Sequence, residues 1–167
     1  MPDEWIRQWG DPVLREVAMP VTRVDELLRR QIARMRLRLV DADGAGPAAT
    51  QVGWMRRLFV YRLSREDDVD VLVNPRVVSR SAERAEFLEG CLSFQAVTVA
   101  VSRPVAVRVE ALDLEGRARV VDAEGPAASL LQHEIDHLDG ILTLDRADQA
   151  ERRRALAVLL AGDERAA

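Results

Sequence analysis

The chain has 167 residues, 48% apolar and 31% charged, with a formal net charge of −4. This length fits one domain, residues 1–167, which can bury about 70% of its unfolded surface without disulfides. The mild negative charge leaves no electrostatic footprint for general nucleic-acid binding, and no sequence-specific nucleic-acid partner is expected. No apolar run reaches the ~18 residues of a membrane span, and Asp3, Glu4 and Arg7 interrupt what a secretory signal would keep apolar. The expected location is cytoplasmic.

Residues 10–21 (GDPVLREVAMPV) combine turn residues with scattered apolar positions and predict an extended or irregular arm. Thr22 predicts an N-cap with Asp25 as capping-box partner. Leu28, Ile32, Met35 and Leu39 follow at helical spacing and predict an amphipathic helix over about 24–40, ended by Asp43-Gly44-Ala45-Gly46. The middle is β-like: residues 58–63, 69–73, 76–79, 98–102, 105–112 and 118–122 are rich in Val and Leu. Asn74-Pro75, Arg103-Pro104 and Glu115-Gly116 punctuate them. Val105, Val107 and Val109 alternate with Ala106, Arg108 and Glu110, the pattern of a half-buried antiparallel strand. A second helix is expected between Gly125-Pro126, read as N-cap and N1, and Gly140, read as its stop. A C-terminal helix is expected at about 147–161, with Leu156, Val158, Leu159 and Leu160 on its apolar side. The fold class is α+β: mostly antiparallel sheets packed around a central helix, with N-terminal and C-terminal helices.

The rare residues carry the chemistry. All 24 basic residues are Arg, so neither a Schiff-base lysine nor a P-loop lysine exists. One cysteine, Cys91, excludes an intrachain disulfide. The only two histidines stand in His133-Glu134-Ile135-Asp136-His137, an HExxH pattern. Residues i and i+4 share a helix face, so both imidazoles can reach one metal ion while Glu134 handles a proton beside it. The same five residues also occur on ordinary solvated helices. A catalytic site needs a third protein ligand and an open position. The third histidine of the HExxHxxGxxH pattern would fall at Thr143, and Glu151 and Glu164 lie in surface-like stretches. Cys91 remains, either as a thiolate ligand suited to Zn²⁺, Fe²⁺, Co²⁺ or Ni²⁺ or as a small buried hydrophobe.

Three ordered motifs decide between these readings. GAGPAATQVG (44–53), EGCLS (89–93) and QHEIDHLDG (132–140) resemble, in order, the signature segments of the peptide deformylases, and the GDPVLREVAMPV opening is similar to theirs. The resemblance spans about 10–144. It implies that Cys91, His133 and His137 hold one divalent ion, Fe²⁺ in the cell with Zn²⁺, Ni²⁺ or Co²⁺ as substitutes, and that water takes the open position. Glu134 would act as general base and then acid. The Gln51 side-chain amide and the Leu92 N–H would stabilise the oxyanion. Gly44, Ala45 and Gly46 would turn tightly beside the ligand and pair with its main chain, and Leu130, with Ser129, would line the pocket for its methionine. Glu89 and Asp136 are candidate partners of the ligands, with Arg103 as the partner of Glu89; Asp136 adjoins His137, but adjacent helical residues point apart.

The implied function is a metal-dependent hydrolase that removes the N-formyl group from N-formylmethionyl peptides of nascent chains, with the nascent chain and the ribosome as partners. Arg152-Arg153-Arg154 could touch ribosomal RNA or form a solvated face. Pro47 stands where the family has Leu, Phe94-Gln95-Ala96-Val97-Thr98 lacks the family's Pro and Arg, and Thr98 and Thr143 are further departures. These keep two other readings open: hydrolysis of another formylated or acylated amine, and a catalytically silent metal- or nascent-chain-binding protein.

Overall fold

The computed structural model describes residues 5–42, 44–94 and 97–163. The expectations for Asp3, Glu4, Asp43, Gln95, Ala96 and Glu164 lie outside the described residues. The N-terminal arm is irregular as expected, with one 3-10 turn, Pro12–Arg15, started by the Asp11 carboxylate accepting the Val13 N–H. Helix α1 spans Glu26–Asp41. Its N-cap is Asp25 and not Thr22: the first N–H groups of a helix need an acceptor, and the Asp25 carboxylate takes that of Leu28 at 2.8 Å. Leu28, Ile32, Met35 and Leu39 form its buried face.

Six strands follow: β1 Leu58–Tyr61, β2 Asp70–Arg80, β3 Arg84–Glu89, β4 Val99–Pro104, β5 Ala106–Leu112 and β6 Ala118–Glu124. They form two antiparallel sheets, one ordered β1-β2-β5-β6 and the other the β3-β4 hairpin. Strand β3 is unexpected from the sequence. Asn74-Pro75 does not end a strand. It makes a bulge within β2, where the register to β5 shifts between Val73 and Arg76. Asn74 takes a positive φ of 51°. Its side chain is fixed there by Val21, accepting the N–H at 2.7 Å and donating to the carbonyl at 2.8 Å.

Helix α2 spans Gly125–Leu138. Its N-cap is Glu124, so Gly125 stands one place further in than predicted. From Ala128 to Leu138 only Leu130 escapes full burial. The helix ends where predicted: Gly140 has φ +70° and its α-carbon is so close to the Arg15 carbonyl that a Cβ would lie 2.4 Å from that oxygen. Only glycine meets both conditions. A one-turn helix unexpected from the sequence, α3 Thr143–Arg146, precedes the expected C-terminal helix, which is α4 Gln149–Asp163. Its apolar face differs from the prediction. Ala155 is fully buried, whereas Val158 and Leu160 are 38% and 55% exposed. No helix among the described residues is long and apolar enough to cross a membrane.

Candidate metal centre

Strand β3 ends at Glu89, and the chain then turns, the Phe94 N–H donating to the Cys91 carbonyl at 3.0 Å. That turn brings Cys91 to the face of α2 carrying His133 and His137, one helical turn apart. Cys91 Sγ lies 3.2 Å from His137 Nε2, which lies 3.2 Å from His133 Nε2. The three donor atoms are all within 4.8 Å of one another.

Glu89 sets the tautomer. Its Oε2 is 2.9 Å from His133 Nδ1, and a carboxylate there accepts, so the ring proton sits on Nδ1 and Nε2 turns a lone pair inward. The Nδ1 of His137 is buried without a partner. Three electron-rich atoms facing one another this closely need a cation between them, a proton or a metal ion. Burial disfavours charge on His133, but its hydrogen bonds to Cys91 and Glu89 outweigh burial and hold its pKa well above the usual histidine value. Burial and the charge on His133 together push His137 well below it. A thiolate with two imidazoles fits a divalent transition ion.

Glu134 is 2% exposed. Burial pushes its carboxyl up to about 8, and its Oε2 has no partner. Gln51 is held from both ends of its amide. Oε1 accepts the Ala48 N–H at 2.9 Å, while Nε2 donates to Ser93 Oγ at 3.0 Å and to Cys91 Sγ at 3.4 Å. The turn that carries it is tied to α2 by Thr50 Oγ1 donating to the His137 carbonyl at 3.1 Å.

Behind the donors runs a chain of charges. Arg103 donates to both oxygens of Glu89, at 2.6 and 2.9 Å, and to Asp136 at 2.7 Å. Arg146 donates to both Asp136 oxygens. Asp136 thus turns away from His137, as adjacency on a helix requires. Ser129 also serves this chain, its hydroxyl donating to Glu89 Oε1 at 2.7 Å. Its place four residues before His133 was legible in the sequence, but its partner was not. Sequence reasoning gave Ser93 no role although it closes the EGCLS motif, and it missed Arg146, which no local pattern marks.

A cleft of about 1050 Å³ opens over the donors, lined by Gly44, Ala45, Gly46, Leu92 and Leu130 together with Cys91, His133 and Glu134. Gly44 and Gly46 are not there for a left-handed turn, since neither has a positive φ. Gly46 is needed because a Cβ would lie 2.7 Å from the Val60 carbonyl. Residues 45–48 run antiparallel to β1, the Ala45 and Pro47 carbonyls accepting the Arg62 and Val60 N–H groups at 2.8 and 3.3 Å. Backbone groups of an antiparallel pair alternate sides. The N–H that Pro47 lacks would thus face β1, and Gly46 turns its polar groups the other way. The Arg152-Arg153-Arg154 run is an exposed face with local partners: Arg152 lies 3.8 Å from Asp145, Arg153 donates to the Gln149 carbonyl, and Arg154 to Glu151 and the Thr98 carbonyl.

Soft donors, an adjacent buried carboxyl and an open cleft on an α+β frame define a metal-dependent hydrolase. The family model described as Polypeptide deformylase matches residues 3–153. A peptide deformylase of Natranaerobius thermophilus is 43% identical over 147 residues, 88% of this chain and 94% of its own. One of Treponema pallidum is 44% identical over 147 residues, 88% of this chain and 90% of its own. The crystal structure of a peptide deformylase from Legionella pneumophila superposes with a TM-score of 0.89 at 38% identity, covering 95% of this chain and 94% of its own. That of a Synechococcus elongatus peptide deformylase in complex with actinonin does so with a TM-score of 0.88 at 38% identity, covering 94% and 88%. The chain belongs to the polypeptide deformylase family and is an enzyme of that kind.

Proposed function

We propose that this chain hydrolyses the N-formyl group of N-formylmethionyl peptides of nascent chains, with Cys91, His133 and His137 as the metal ligands. The observation that carries the proposal is the Cys91–His137–His133 donor set beside the buried carboxyl of Glu134, whose Oε2 has no partner. A bound divalent ion supplies Lewis acidity that makes water a nucleophile near neutral pH. Glu134 takes the proton of the attacking water and passes it to the leaving nitrogen. As the C–N bond breaks, formate and a free α-amine separate. The Gln51 amide and the Leu92 N–H donate to the oxygen on which negative charge develops; Gln51 is already oriented by Ala48 and Ser93. The outward backbone of Gly46, flanked on the cleft wall by Gly44 and Ala45, pairs with the peptide main chain as an added strand, and Leu130 lies against the methionine side chain.

In this reading residues 1–167 are one domain, and α2, with its HExxH pattern, is the central helix. The ion is Fe²⁺ in the cell, the protein is cytoplasmic, and it works on chains emerging from the ribosome. Iron beside a thiolate is oxygen-sensitive, so activity is lost in air and kept when Ni²⁺ or Co²⁺ replaces iron. Thr98 on the cleft wall favours a second reading, another formylated or acylated amine as substrate. Pro47 no longer supports it, since its missing N–H falls on the β1 side. The burial of Glu134 and the orientation of Gln51 support turnover over silent binding.

The test is formate release from a formyl-Met peptide by protein purified without oxygen and loaded with Ni²⁺ or Fe²⁺. Metal-dependent release, absent in Glu134→Ala and absent with acetyl-Met peptide, is the expected result. No release from folded, metal-loaded protein would overturn the substrate assignment.

A further inference from the structure

One edge of β4 pairs with β3, Val99 opposite Glu89 and Val101 opposite Phe87. Side chains of α4 hold the other. Glu151 Oε1 accepts the Ala100 N–H at 2.9 Å, and Arg154 Nη2 donates to the Thr98 carbonyl at 2.5 Å. The two side chains are joined by two bonds, each 2.7 Å. Residues two apart on a strand turn their backbone groups to the same side. The ion pair thus does for this edge what one residue of a neighbouring strand would do: it donates to one carbonyl and accepts from the amide two places on. Under it, Ala155 is fully buried in a cluster with Phe94, Val97 and Val99. Phe94, Val97 and Thr98 also line the cleft over the metal ligands. One wall of that cleft therefore stands on α4.

This is the stretch where the sequence lacks the Pro and Arg of the family pattern. Arg154 lies just past the end of the matched residues, 3–153. A proline would restrict this backbone from within. Here the restraint comes from outside, as charge-assisted hydrogen bonds to two backbone groups.

We infer that Glu151 and Arg154 are positioning residues for the substrate cleft, fixing the backbone of residues 98–100 and with it the wall of Phe94, Val97 and Thr98. The inference rests on the deformylase reading of that cleft. Neither residue reaches the metal ligands or Glu134. Releasing them loosens the grip on the peptide and leaves the hydrolytic step as it was.

The experiment compares wild type with Arg154→Ala, Glu151→Gln, Arg154→Lys and, as control, Arg153→Ala on the same helix. It measures kcat and KM separately for a formyl-Met peptide on Ni²⁺-loaded protein, and backbone hydrogen exchange by peptide. In Arg154→Ala, KM rises about three- to tenfold while kcat stays within about twofold, as expected from losing a few charge-assisted bonds. Exchange protection falls in the peptide covering 97–101 and nowhere else. Arg154→Lys recovers part of both, because its point charge can reach the Thr98 carbonyl without the two-bond grip on Glu151. Arg153→Ala changes neither. An unchanged KM despite lost protection, an equal fall in kcat, or the same effect from Arg153→Ala overturns the inference. If Arg154→Ala does not fold, Glu151→Gln is judged by the same criteria, with a smaller rise in KM. Absence of formate release from wild type strikes the substrate assignment. Turnover by wild type with KM unchanged in the variants strikes the positioning role.

Discussion

The Glu89 carboxylate lies 2.9 Å from Nδ1 of His133 and so turns the opposite nitrogen of that ring towards Cys91. A hydrogen bond of this kind fixes ring orientation and raises ligand basicity. Glu89→Gln keeps the shape but loses the charge. Metal affinity is expected to fall about 10–100-fold, read by competition with a chelator of known affinity. Unchanged affinity would mean that His133 is oriented by packing alone.

Arg103 has two carboxylates to satisfy. Its side chain is 5% exposed, and those of Glu89 and Asp136 are 6% and 10% exposed. Removing one partner of such a group leaves uncompensated buried charge, so Arg103→Ala is expected to cost about 3–5 kcal/mol in urea unfolding. Arg146→Ala removes only the half-exposed member and should cost less than about 1 kcal/mol. Equal losses would mean that Asp136, not Arg103, is the centre of the network.

Tyr61 is the only tyrosine in the chain. Burial first, and then the negative charge of Asp70, push its pKa up to about 12, and its hydroxyl donates to Asp70 at 3.2 Å. Absorbance of the phenolate should therefore rise with a midpoint near 12 and not at 10. The folded pKa is the higher one. The stability it contributes is present below pH 10 and is lost as pH rises through 12. In Asp70→Asn the midpoint moves part of the way down. A wild-type midpoint at the ordinary value would show that the ring is not enclosed as described.

Gly140→Ala meets two obstacles, a φ of +70° and the Arg15 carbonyl 2.4 Å from the new Cβ. A substitution incompatible with its backbone costs more than the ~1 kcal/mol that a tolerated one would gain. We expect a loss of at least about 2 kcal/mol in denaturant unfolding, on the scale of overpacked sites. Gly90→Ala, where a Cβ meets nothing within 4 Å, is the matched control and should change stability little.

Pro47→Ala restores an N–H on the β1 side of the segment, facing the Val60 carbonyl. KM for a formyl-Met peptide should stay within about twofold, because side-chain truncation at a site away from the peptide is close to neutral. A large fall in KM would put that N–H on the cleft side and reverse the assignment.

What could be read from the sequence was whatever repeats locally. The 28-32-35-39 spacing gave the buried face of α1 and the i, i+4 spacing paired the histidines, whereas Cys91 joined the donor set only through the resemblance carried by the three motifs. Strand β3 escaped because the alternation in RAEFLE is short and breaks at Phe87-Leu88, with Leu88 76% exposed and Glu89 buried; a two-stranded hairpin has too little buried face to show a period. Asn74-Pro75 looked like a break because its bulge depends on Val21, 53 residues earlier. Likewise, Arg103 and Asp136 are 33 residues apart. A pair of that kind is set by the packing of β4 against α2 and has no local signature. Pro47 shows the same limit from another side: its substitution was legible, but the side it faces is a property of the ladder.

The hairpin of β3 and β4 shares no ladder with the larger sheet, yet Cys91 at its end and His137 on α2 meet across 46 residues of chain. An ion held by both closes that loop much as a covalent staple would, in a chain whose one cysteine cannot form a staple of its own. On the proposed ligand set the centre would also be an architectural joint, adding the grip of an ion to the Arg103–Asp136 and Glu89–Ser129 bonds that already fasten the hairpin to α2.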